Sequence, residues 1–164
     1  MLKTIKFLTA ALFFTTVISC NSGDSDKGTA MSNSDTTMAT NNDTKSANTT
    51  TIFKATLKGS DEVPSNSSTA TGTSTLTYNG DTKTFTDVTS YTGITPTMGH
   101  IHKAAAGANG PVVFPFTELA SPINLTSEAL TDEQVTALFA DSMYVNLHTK
   151  EFPGGEIRGQ LIKQ

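Results

Sequence analysis

Met98-Gly-His-Ile-His-Lys-Ala-Ala-Ala-Gly-Ala-Asn-Gly-Pro-Val-Val113 holds two of the three histidines in the chain, His100 and His102, one residue apart. On a strand, side chains two apart share a face, with α-carbons about 6.6 Å from one another. Two imidazoles so placed can converge on one small cation. The third histidine, His148, lies in a second segment of similar character, Tyr144-Val-Asn-Leu-His-Thr149, which leads into Pro153-Gly-Gly-Glu-Ile-Arg-Gly159. Whether these two segments are neighbours decides both the fold and the site.

Outward from that stretch the chain alternates in the manner of strands. Phe53, Ala55 and Leu57 interleave with Lys54, Thr56 and Lys58, the pattern of a strand with one wet face. Thr73–Tyr78 and Lys83–Tyr91 read as a hairpin about a tight Asn79-Gly80-Asp81 turn. Phe85, Val88 and Tyr91 are its apolar contacts, and the odd spacing of Val88 from Phe85 predicts a bulge or a register change there. Met98–His102 forms a further strand, Gly107–Pro111 a turn, and Val112–Phe116 a short buried strand. One helix is expected, ending near Asp141. Thr131 and Gln134 form its capping box, Leu130 and Val135 a hydrophobic staple, and Val135, Leu138 and Phe139 an apolar stripe. Tyr144–Thr149 and Glu156–Ile162 then close a hairpin. The fold class is all-β: a Greek-key β-sandwich or small barrel with one short helix insertion.

Composition agrees. Tryptophan is absent while Thr, Ser, Gly and Val are plentiful, which favours strands and turns. Residues 51–164 are enough for one core without disulfides. They carry seven Lys or Arg against eleven Asp or Glu, a net −4 spread along the chain. That gives no electrostatic reason to expect nucleic acid as a partner.

The N-terminal segments are of another kind. Residues 1–20 have the parts of an export signal: Lys3 and Lys6, an apolar run from Phe7 to Ile18, then Ser19 and Cys20. The run is too short to span a bilayer stably. Val17-Ile-Ser-Cys20 resembles the bacterial lipobox, which implies cleavage before Cys20 and lipidation of that residue, the only cysteine present. Residues 21–50, rich in Ser, Thr, Asn and Asp, lack any hydrophobic period and read as a disordered tether with a span of about 30 Å. Asp35-Thr-Thr37 within it resembles a short O-glycosylation signature of the Bacteroidetes.

Four motifs in order resemble the CHRD domain, first described in chordin and common in exported bacterial proteins. They are Leu57-Lys-Gly-Ser-Asp-Glu-Val-Pro64, Gly99-His-Ile-His102, Gly107-Ala-Asn-Gly-Pro-Val-Val113, and Tyr144–Thr149 with Pro153–Gly159. The resemblance covers nearly all of Phe53 to Leu161 and supplies no activity by itself; with the anchor, the tether and no catalytic constellation, the chain is expected to be a binding or interaction module of the cell envelope. Its partners would be the membrane through the lipid anchor and an envelope or extracellular protein or glycan. Its fold in turn resembles the Greek-key barrel of copper-zinc superoxide dismutases, in which a His-x-His strand and a later Val-x-His strand supply copper ligands and a C-terminal arginine guides the anion. His100, His102, His148 and Arg158 stand in that order. The bridging histidine, the zinc ligands and the paired cysteines have no counterpart, so the resemblance implies a mononuclear site and no dismutase activity.

Two readings of the histidines follow from the residues themselves. Three imidazoles suit zinc or copper and leave a position open for water or substrate. A strand histidine can instead bond a carbonyl and hold a loop. Glu156 and Arg158, two apart, are expected to share a face, either as an ion pair fixing register or with the arginine drawing anions to the histidines. Asn146 and Thr149 are expected to satisfy backbone groups or orient the His148 ring, and Asp61-Glu62 to form a solvated turn. No nucleophile elbow or phosphate loop is present, so hydrolase chemistry has no support.

Overall fold

In the computed structural model, residues 49–164 are described. They form β1 (Thr50–Lys58), β2 (Thr71–Asn79), β3 (Thr84–Thr92), β4 (Met98–Lys103), β5 (Val112–Pro115), β6 (Ile123–Thr126), helix α1 (Asp132–Phe139), β7 (Met143–His148), β8 (Ile157–Gln160) and β9 (Ile162–Lys163). All paired strands are antiparallel, in the order β5-β4-β7-β8-β1-β2-β3-β6, with β9 beside β1. This is one sheet curled into a half-barrel rather than two packed sheets. The curl brings Phe85 of β3 edge-on to Phe114 of β5, ring centroids 5.0 Å apart, although the strands stand near opposite ends of the order.

The core fills the concavity. Phe53, Ala55 and Leu57 of β1 point inward as the alternation requires, and Leu76, Ile101, Val145, Leu147 and Ile157 meet them. Helix α1 covers one end. Its capping box is present in both directions: Thr131 Oγ1 accepts from Gln134 N at 3.2 Å, and Gln134 Oε1 from Thr131 N at 2.8 Å. Leu138 is fully buried, while Phe139 lies edge-on to Phe53 and Tyr78. The chain leaves the helix through Asp141, whose φ of +50° breaks the helical path.

Strand β3 corrects the sequence reading. Its register with β2 runs unbroken from Thr71↔Thr92 to Asn79↔Thr84, so there is no bulge at Val88. Strict alternation sends Asp87 and Thr89 inward and leaves Val88 45% exposed. Burial pushes the Asp87 carboxyl above its ordinary range, and hydroxyls from Ser74 (2.5 Å) and Thr89 (2.7 Å) offset part of that cost. The register irregularity lies instead between Ile101 and His102, against β5. The turn at Asn79 is also longer than expected, with Gly80–Lys83 between the strands and Asn79 Oδ1 accepting from the amides of Asp81 and Thr82. Strand β5 is not buried, because it pairs only with β4 at the sheet edge. Strand β6, four residues beside β3, was not foreseen.

One pairing matters most for function. Strands β4 and β7 are adjacent, with Met98↔His148, His100↔Asn146 and His102↔Tyr144 in register. The two histidine segments therefore meet. All six residues of β7 are buried: Met143, Val145 and Leu147 on the core face, Tyr144, Asn146 and His148 on the other. Two loops close over that second face. Residues 104–111 hold it through Gly110, and residues 149–156 through Pro153.

Candidate metal centre

His100 and His102 project from β4 and His148 from β7, onto the face opposite the core. One ring nitrogen from each lies within 4.8 Å of the others. A tetrahedral metal with bonds of 2.0–2.1 Å separates its nitrogens by about 3.4 Å, so the rings need to close by about 1.4 Å. His100 is half-buried, whereas His102 and His148 are buried and tied to loop carbonyls.

What fixes them also sets their protons. His102 Nδ1 lies 3.0 Å from the Gly110 carbonyl oxygen, and His148 Nδ1 lies 3.0 Å from that of Pro153. A carbonyl only accepts, so both Nδ1 atoms carry the hydrogen and both Nε2 atoms are left with a lone pair. His100 Nδ1 stands 3.3 Å from the bare Nε2 of His148. Among the described residues, His102 Nε2 is buried with no hydrogen-bond partner. Burial is the chief cause lowering the proton affinity of each ring. His148 and then His102 add to it at His100; at His102 the Gly110 bond opposes it, as the Pro153 bond does at His148. The cluster is therefore neutral near pH 7, and a metal ion meets little competition from protons.

A second layer supports the rings. Tyr144 stacks on His102 (centroids 4.8 Å, planes 6° apart), and the Arg158 guanidinium lies 3.4 Å from the centroid of the Tyr144 ring. Since β4 and β8 flank β7, the three side chains form one stack across three strands. Arg158 is only 2% exposed and donates to Ala108 O (2.7 Å) and Asn109 Oδ1 (3.1 Å), while Asn109 Nδ2 reaches Val63 O (2.8 Å). The arginine thus locks the 104–111 loop that presents the Gly110 carbonyl to His102. The Glu156–Arg158 pair does not form. Glu156 turns away, accepting from Ser68 Oγ (2.7 Å) and Thr149 Oγ1 (2.5 Å), so that Thr149 ties down the loop after His148.

The acid near Arg158 is Glu62, which sequence reasoning treated as part of a solvated turn. It is 6% exposed, and burial raises its pKa to about 7 against the opposing charge of Arg158 and a hydrogen bond from Asn146 Nδ2 (3.4 Å). Glu62 Oε1 and Asn146 Oδ1 are both buried with no hydrogen-bond partner among the described residues. Both line the space where a Cβ on Gly155 would sit, 2.7 Å from each, so glycine is required there on steric grounds and by its φ of +129°. Tyr144 and Glu62 were missed because nothing local marks them, and the Gly110 and Pro153 carbonyls are backbone atoms that no residue pattern reveals. Cys20 and Asp35–Thr37 lie outside the described residues.

A family model for the CHRD domain matches residues 53–161. The chain belongs to the CHRD family. No curated protein and no solved structure matches it. Membership supports a binding or interaction module without naming a ligand, and the matched span holds all three histidines, Glu62, Tyr144 and Arg158. Among the described residues of this CHRD protein, no helix is long and apolar enough to cross a membrane.

Proposed function

We propose that this CHRD domain binds a single zinc or copper ion through His100, His102 and His148, and that the protein is an exported envelope module held to the membrane by lipid on Cys20. The observation that carries the metal reading is the Nε2 atom of His102, buried and unpartnered. If the histidines only pinned loops, their Nδ1 bonds to Gly110 and Pro153 would be sufficient. Leaving the other nitrogen of His102 dry would then cost about 1–3 kcal/mol with no return. A metal removes that cost, and carbonyl-oriented imidazoles are the usual support of a metal site.

A three-histidine centre leaves a coordination position open, and the half-exposed His100 marks the side from which it is reached. A metal there supplies Lewis acidity, and copper could also cycle. The envelope reading is supported by the signal and lipobox residues and by the polar tether of residues 21–50, which has no hydrophobic period. Its partner would be an envelope or extracellular protein or glycan. Elemental analysis of the full chain, incubated with zinc or copper and desalted, tests the metal. About one equivalent in the wild type and none in His148→Ala is expected; metal-free wild-type protein refutes it.

A further inference from the structure

Met98 opens β4 two residues before His100, on the strand face that carries His100 and His102. In register it stands directly across from His148. Opposed residues have Cβ atoms about 4.5–5.5 Å apart, so this thioether begins beside both the half-buried histidine of its own strand and the buried one of the next. It also has three rotatable bonds with which to reach inward.

Its surroundings are unusual for methionine. Met143, the other methionine among the described residues, is fully buried in the core, whereas Met98 is 46% exposed. Gly99 and Ile101 already supply the core side of β4. Met98 therefore contributes nothing evident to the core, and it sits at the open edge of a cluster of nitrogen donors.

The charge around the cluster points the same way. No carboxylate belongs to it, so its donors are three neutral imidazoles. The Arg158 cation lies behind Tyr144, which stacks on His102, and it acts on the His102 ring. A fixed positive charge opposes a dication more than a monocation. Thioether sulfur is a soft donor suited to copper(I), and zinc gains little from it. We infer that Met98 is a fourth ligand of the site and that it makes the site selective for copper(I) over zinc. This rests on the three-histidine reading.

The test uses the full chain carrying Cys20→Ser, which removes the only thiol. Copper(I) affinity is measured without oxygen against bicinchoninate, and zinc affinity against a chelating dye, with and without Met98→Leu. Leucine keeps the volume at an exposed site, so folding is preserved. Copper(I) binding should weaken about tenfold or more, while zinc binding changes by less than about twofold. X-ray absorption of the wild-type copper(I) form should contain a sulfur neighbour beside imidazole nitrogens, and Met98→Leu should lose it. Unchanged copper(I) affinity with no sulfur neighbour overturns the inference, as does equal weakening for both metals. If zinc or copper still binds through the histidines, only the role of Met98 has failed. If the wild type retains neither metal, the three-histidine reading fails with it.

Discussion

Replacing Glu62 by Gln should change how the stability of the metal-free protein depends on pH. The folded-state pKa is about 7 against an ordinary 4.5, because burial disfavours the carboxylate more than Arg158 and Asn146 favour it. A raised folded-state pKa means that the folded chain holds a proton the unfolded chain has released. Stability from this group is fully present below about pH 4.5 and is lost as pH rises through about 7. At about 1.4 kcal/mol per pH unit the full shift corresponds to about 3 kcal/mol, and water reaching the loop reduces it, so about 1–3 kcal/mol is expected. The three histidines act in the opposite sense: their lowered pKa values give stability above the ordinary 6.5 that is lost as pH falls. Subtracting the variant from the wild type cancels them. Urea unfolding of both proteins from pH 4.5 to 8.5 is the assay. Glu62→Gln should gain on the wild type between about pH 4.5 and 7 and the difference should level off above that. A constant difference would mean that Glu62 is an ordinary carboxylate and that the buried contact with Asn146 is not as described.

Two other substitutions probe different parts of the account. Gly155→Ala places a Cβ 2.7 Å from both Asn146 and Glu62 at a φ of +129°, so it should cost about 2–4 kcal/mol in thermal or urea unfolding; a loss under about 0.5 kcal/mol would contradict that close packing. Cys20→Ser, expressed in a bacterial host with the full signal, should move the protein from the membrane fraction to the soluble one, since one residue carries the whole proposed anchor. Unchanged membrane association would remove lipidation at Cys20 from the account.

Local pattern made part of the fold legible. Strands β1, β2 and β7 and the Thr131 capping box follow from alternation and from one side-chain reach, both contained in a few neighbouring residues. Strand β3 itself was readable, but the bulge expected at Val88 was not found: Val88 is more apolar than Asp87 and Thr89, yet the sheet register, set by nine paired residues, outweighs one valine. The buried aspartate is supported by Thr89 two residues on and by Ser74 on the next strand, and no local window contains the second of these. The exposure of β5 is likewise a matter of which strand ends at the edge. For the site, His-x-His spacing was readable, whereas its union with His148 depends on β4 lying beside β7 despite the whole of β5, β6 and α1 between them. The same holds for Glu62, brought to Asn146 across 84 residues.

The central claim is that His102 and His148 are held with hydrogen on Nδ1 and a bare Nε2 that a metal can take. Long-range proton–nitrogen NMR of the three imidazoles in the full chain, followed during zinc addition, tests it directly. In the metal-free protein both rings should be in the Nδ1–H form at pH 7.5, and their Nε2 signals should shift to a sharp end-point at one equivalent of zinc. Rings in the Nε2–H form, or Nε2 signals indifferent to zinc and to copper(I), would contradict it and leave the histidines as pins for the two loops.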